Sequence, residues 1–261
     1  IDTYSNGLFM KEIPQKTICY IHFPNYTKQK KGLKAVLNFL LIKEKEMFYY
    51  DNIVCNSSFT QGYLTKLTKK SSQVVYPPVK TGYFSSRRKK EDLIVSIGRF
   101  SPEKKHEVMI EAFKRVEGQV ATYTLHLIGA SADENYLKKL KREAKGHRII
   151  FHENVPHKKV LDFLEKAKIY WHARGYGESN PVEYENFGIT TVEAIAAGCM
   201  PLVINLGAQP ELVTDKNFCW SSLDELVRKT VAICRSELLY SSDKNDLKKF
   251  SRDSFLKKME R

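Results

Sequence analysis

The chain has 261 residues, 42% of them hydrophobic, and a formal net charge of +13 at pH 7. That is enough apolar material for one large domain or two modest ones with real cores. The five cysteines are scattered and never paired as CxxC, which argues against a disulfide framework or a thiolate metal site and for a reducing compartment.

The excess of positive charge favours a polyanionic partner: nucleic acid, an anionic membrane face or a phosphorylated substrate. No signal peptide opens the chain, and the apolar run from Leu37 to Ile42 is far too short to cross a bilayer. A cytoplasmic location is the expectation.

Short β-branched runs alternate with longer amphipathic ones. TICYIHF (17–23) reads as a buried strand, residues 34–50 as a helix, NIVCN (52–56) as a strand, SFTQGYLTKLT (58–68) as a helix, and QVVYPPV (73–79) as a strand that its prolines stop. The polar stretch SSRRKKED (85–92) reads as a linker. A second series follows, with strands at 93–98, 124–130, 148–155, 169–173 and 200–205. Helices at 107–116, 134–144, 158–167 and 190–198 separate them. Such alternation implies parallel sheets with helices on both faces. The expected fold is therefore α/β, with two Rossmann-like doubly wound domains. Residues 1–84 form the remainder of a first, incomplete domain, and 93–261 form a second that includes the C-terminal helix.

The stretch ENFGITTVE (185–193) places two acids around a glycine turn and a helix start. Thr190 and Glu193 stand three apart, the spacing of a capping box, and Gly198 and Pro201 close the element. Taken alone, Glu193 reads as a cap. Glu185 precedes the turn and has no such role. Bare amides at Asn186, Phe187 and Gly188 would make an anion site, and the carboxylates would serve neutral hydroxyls. A second candidate anion site is SIGRFSPEKKHE (96–107). There a strand ends at Gly98, Arg99 stands at its carboxyl end, Ser101 and Pro102 suit a helix start, and Lys104 faces the mouth.

SIGRFSPEKKHEVMIEAF, LIGA and ENFGITTVEAIAAGCMPLVINLGAQPELV resemble the nucleotide-binding domain of the GT-B retaining glycosyltransferases, family 4, across residues 91–261. YIHFP, NSSFT and VVYPPV resemble the closing part of that family's acceptor domain, most closely in the α-1,2-mannosyltransferases of lipid-linked oligosaccharide assembly.

The resemblance implies transfer of a hexose, mannose or glucose, from a nucleotide diphosphate sugar such as GDP-mannose or UDP-glucose. The acceptor would be a glycan or a polyprenyl- or dolichyl-diphosphate-linked glycan. Glu193 would hold the ribose hydroxyls and Glu185 the donor sugar. Phe187, Gly188 and Ile189 would give amides to sugar and diphosphate, with Arg99 and Lys104 neutralising the leaving group. His22 reads either as the acceptor-side histidine that faces the donor or as a core histidine at a strand end. The resemblance implies no tightly bound cofactor and no metal. It also implies more residues before YIHFP than this chain carries, so a fragment is expected. Lys105 stands where the family often has glycine, which leaves open whether Lys104 or Lys105 meets the phosphates.

Trp171 reads as core and His172 as a further site candidate. GAQPE (207–211) reads as a turn near the donor. The basic runs at 28–34, 64–70 and 87–90 each read as solvated surface, and together as a peripheral contact with an anionic membrane. No nucleic-acid recognition motif is present. Two other readings remain: a non-catalytic nucleotide-sugar or polyanion binding module, and a GT-B epimerase or phosphorylase.

Overall fold

A computed structural model describes residues 2–4, 17–24, 50–84, 89–240 and 244–260. Residues 34–49 of the expected helix and the basic run at 28–34 lie outside the described residues. The chain divides into two compact units, Ile1–Pro78 with Asp253–Arg261, and Val79–Arg252.

In the first unit, β1 (Asp2–Tyr4), β2 (Ile18–Ile21), β3 (Asn52–Cys55) and β4 (Gln73–Val74) form one parallel sheet in that order. Side chains alternate across it, as a strand requires. Cys19, Ile21, Ile53 and Cys55 bury with Leu64 of α1 (Ser58–Thr68). Tyr20, Val54 and Val75 bury on the other face with Met259, and Phe255 packs against them. Ser57 caps α1 by accepting from Thr60 N–H at 3.1 Å. The sequence reading placed the C-terminal helix in the second domain. Its residues from Asp253 instead belong to the first unit, because Phe255 and Met259 find their apolar partners there.

The second unit carries a six-stranded parallel sheet of β5 (Glu91–Ile97), β6 (Thr124–Gly129), β7 (Ile149–Glu153), β8 (Ala167–His172), β9 (Met200–Ile204) and β10 (Cys219–Trp220). Their order is β10-β9-β8-β5-β6-β7. The chain steps outward from β5 to β7, then returns to the other side of β5. The order reverses between β5 and β8, and ligands of such sheets bind beyond the carboxyl ends of the strands at that reversal. One face buries Ile94, Leu125, Leu127, Ile169 and Trp171 against α2 (His106–Glu117), α3 (Glu134–Glu143) and α7 (Leu223–Cys234). The other buries Val95, Ile128 and Tyr170 against α4 (His157–Lys166) and α5 (Ile189–Ala196). Burial on both faces explains why these strands read as continuous apolar runs. Trp171 is core, fully buried beside Phe113.

The expected linker is shorter than its charge suggested. Glu91 and Asp92 already belong to β5. Lys90 is not solvated surface: its Nζ donates to the carbonyls of Leu164 at 3.1 Å, Glu165 at 3.0 Å and Ala197 at 2.7 Å. It thereby satisfies the last carbonyls of α4 and α5, where a cation also meets the favourable end of each helix dipole. Lys90→Met keeps the stem and removes the ammonium donor from all three carbonyls, leaving Leu164 O with the weak Cys199 Sγ donor at 3.1 Å. It is expected to cost about 3 kcal/mol in urea unfolding; a cost below about 1 kcal/mol would mean that water replaces the ammonium.

Candidate functional site

The site is built where β5 and β8 end. β5 stops at Ile97 and the chain leaves through Gly98. The stem of Lys104 folds back over that glycine, so that a Cβ there would stand 3.3 Å from Lys104 Cδ. Arg99 is exposed at the strand end, its guanidinium 3.4 Å from Glu103.

The helix expected to start at Pro102 does so only as a single 3-10 turn, Pro102–Lys104, and Ser101 makes no capping hydrogen bond from its side chain. Lys105 then takes φ 57°, a left-handed conformation that favours glycine, and α2 begins at His106. This turn separates the two lysines. Lys104 Nζ reaches Glu185 Oε2 at 2.9 Å, whereas Lys105 Nζ reaches Glu178 Oε1 at 2.5 Å.

Glu185 sits on the loop between β8 and α5, under three basic side chains. Besides Lys104, His172 Nε2 lies 3.5 Å from Oε2 and Arg174 Nη1 lies 3.8 Å from Oε1. Burial opposes its charge, but the His172 hydrogen bond and the Lys104 and Arg174 charges outweigh it. The carboxyl is held far below the usual carboxylate range. Burial, the largest effect, lowers the pKa of His172; Glu185 opposes it, and Lys104 and Arg174 add to it. Its Nδ1 is buried without a hydrogen-bond partner among the described residues.

Glu193 differs in every respect. The capping box expected from Thr190 and Glu193 does not form. The helix is entered two residues earlier, with Gly188 rather than Thr190 as its N-cap, and no side chain caps it. Thr190 is drawn instead to the Tyr170 hydroxyl, 2.9 Å away. The Glu193 carboxylate is left with no hydrogen bond or ion pair among the described residues. Its half-buried position raises its pKa. Both acids act on Tyr170, whose hydroxyl is pushed up to about 12 by burial first and by Glu185 and Glu193 with it. His172 ties Glu185 to the end of β8, and the Tyr170–Thr190 hydrogen bond ties the helix of Glu193 to the same strand.

Gly188 has φ 108°, which an L side chain rarely adopts. The N–H groups of Gly188, Ile189 and Thr190 take no partner among the described residues, and the Ile189 side chain is exposed. Phe187 is buried, its ring 5.8 Å from that of Phe250.

In the first unit, His22 is exposed just beyond the end of β2 and is not a core residue. Its ring lies edge-on to Tyr20 at 5.2 Å and its carbonyl accepts from Thr60 Oγ1 at 3.3 Å. Partial burial lowers its pKa.

Sequence reasoning missed Arg174 and Glu178 as partners of the site. Arg174 follows a strand end at the reversal point, a positional signal that its residue type did not advertise. Among the described residues no group of three or more His, Cys, Asp or Glu stands ready to hold a metal, and no helix is long and apolar enough to cross a membrane.

Residues 83–229 match the family model of glycosyl transferases group 1. The chain belongs to this family. Among its relatives, a GDP-Man:Man(3)GlcNAc(2)-PP-Dol alpha-1,2-mannosyltransferase of Xenopus laevis is 29% identical over 233 residues, covering 72% of this chain and 46% of the relative. The human protein of the same description is 28% identical over 203 residues, covering 65% and 40%. The chain thus spans less than half the length of these relatives. Solved structures of similar fold include Anabaena HepE in complex with UDP, with TM-score 0.69 and 16% identity, covering 94% of this chain and 71% of that one. The pneumococcal O-GlcNAc transferase GtfA in complex with UDP and GlcNAc follows at TM-score 0.67 and 13% identity, covering 93% and 51%. The fold is therefore the expected one, α/β with Rossmann-like parallel sheets of GT-B type.

Proposed function

We propose that the chain carries the donor site of a retaining glycosyltransferase that moves mannose from GDP-mannose to a dolichyl- or polyprenyl-diphosphate-linked glycan. The observation that carries this reading is the unpartnered, half-buried Glu193, one turn into a helix whose first amides are free. Group 1 membership and the printed activity of the relatives support the class of reaction and the choice of sugar.

In this reading Glu193 accepts hydrogen bonds from the ribose hydroxyls. The Gly188, Ile189 and Thr190 amides face the diphosphate, as helix N-termini do. Glu185 stays ionised and accepts from hydroxyls of the donor sugar. Lys104 has three N–H donors, so it can keep Glu185 and also reach a phosphate oxygen, with Arg99 as the second cation. The sugar–phosphate C–O bond breaks with positive charge growing on the sugar and negative charge on the diphosphate. Cations and amides already in place stabilise the departing charge without reorganising. The acceptor hydroxyl attacks from the same face, and its proton passes to the departing phosphate oxygen. His22, exposed just beyond β2 in the first unit, stays the candidate histidine of the acceptor side. The reading gives charge neutralisation to protein groups, so EDTA is expected to leave transfer unchanged. Exposed Lys66 and Lys69, at the end of α1, suit a peripheral contact with an anionic membrane on its cytoplasmic face.

The test is incubation with labelled GDP-mannose and a polyprenyl-diphosphate-linked oligomannoside. Appearance of label in the lipid-linked product supports the reading. Neither transfer nor donor hydrolysis by a sample that binds GDP would contradict it and favour a binding module.

A further inference from the structure

GAQPE, which the sequence offered as a turn near the donor, packs beneath the loop that carries Glu185 and Gly188. Gln209 is fully buried at the start of the short helix α6 (Gln209–Leu212). Its Nε2 donates to the Phe187 carbonyl at 2.9 Å, and its Oε1 accepts from Thr191 Oγ1 at 2.7 Å. One planar amide thus spans the turn on both sides of Gly188. A Cβ on Gly188 would run into Gln209 Nε2. Ala208 N–H donates to the Glu185 carbonyl at 2.9 Å, and a Cβ on Gly207 would stand 2.6 Å from that same oxygen. Two separate contacts therefore set the backbone on which both Glu185 and the free amides depend.

We propose that Gln209 is a positioning residue for diphosphate binding: its amide fixes the left-handed turn at Gly188 and so aims the Gly188–Thr190 amides outward. The proposal rests on the donor-site reading above. A side-chain amide is required here because it must donate on one side and accept on the other. A carboxylate loses the donated bond and adds charge under a turn meant to receive an anion, an alkyl group loses both bonds, and a hydroxyl has one oxygen where two separated atoms are needed.

The experiment compares GDP with guanosine. GDP is titrated calorimetrically and guanosine followed by ligand-observed NMR, for the wild-type chain, Gln209→Glu, Thr191→Val and Thr191→Ser. Gln209→Glu keeps the acceptance from Thr191 but cannot donate to Phe187. It is expected to weaken GDP at least 30-fold while guanosine changes less than 3-fold. Thr191→Val should lose GDP affinity in the same selective way, and Thr191→Ser, which retains the hydroxyl, should bind as the wild type does. Thr191→Val keeps the test decisive if Gln209→Glu does not fold. Equal loss of GDP and guanosine, or wild-type GDP affinity in a folded Gln209→Glu or Thr191→Val, would overturn the proposal. A folded wild type that binds neither GDP nor UDP would strike the donor-site reading instead.

Discussion

Lys104→Met is expected to lower mannose transfer by roughly 10²–10³-fold, the loss typical when one preplaced group facing a developing charge is removed. The geometry explains why this lysine, rather than its neighbour, should carry the effect. Lys104 stands at the end of β5 with its stem across Gly98 and its Nζ 2.9 Å from Glu185. Lys105 is turned away by its left-handed backbone and occupied by Glu178. Lys105→Met should therefore change transfer by less than about 5-fold, since it breaks only a half-buried ion pair that does not reach Glu185. Glu185 keeps His172 and Arg174 in Lys104→Met, so its carboxylate remains ionised and the loop stays anchored. The loss should fall mainly on kcat if Lys104 meets charge that grows in the transition state. Equal activities of the two variants would remove Lys104 from the leaving-group site.

The second large effect is on stability and is set by histidines. His106 is fully buried beside Phe100 and Tyr136, and burial first, with Lys104 nearby, lowers its pKa to about 4. His126 is lowered to about 4 by burial and by His152, whose Nε2 lies 2.9 Å from His126 Nδ1. His152 and His172 are shifted in the same direction. A depressed folded pKa contributes stability that is fully present above the unfolded value, near 6.5, and is lost as pH falls towards the folded one. The unfolded chain takes up protons that the native chain refuses. At pH 5 His106 alone is expected to remove roughly 2 kcal/mol relative to pH 8, and His126 adds to it. The ionised Glu185 works in the same sense at still lower pH. Urea midpoints at pH 8, 6.5 and 5 check this. A midpoint unchanged between pH 8 and 5 would show that these rings are as solvated in the native state as in the unfolded one.

The strands of the second unit were legible to within two residues at most boundaries because they are buried on both faces. LIVSIG and MPLVIN had few other ways to be satisfied. The capping box was not legible, although TTVE has the required spacing. Helix entry is decided by Gly188, and Gly188 is held by Gln209, a contact from beyond the next strand. Thr190 meanwhile finds Tyr170. Local pattern lost to tertiary contact, and the outcome strengthens the functional reading, since it frees Glu193. Lys90 was misread for the same reason: its carbonyl partners lie 74 to 107 residues away. The terminal helix was assigned by chain order, whereas its apolar face pairs with Tyr20 and Val75 of the first unit.

The most direct measurement is a calorimetric titration of GDP and UDP into the folded chain and into Glu193→Ala. GDP should bind the wild type, and Glu193→Ala should weaken it about 10- to 100-fold, as loss of charge-assisted hydrogen bonds to two hydroxyls requires. No binding of either nucleotide, or GDP affinity unaffected by Glu193→Ala, would contradict a ribose at Glu193 and a diphosphate at the start of α5.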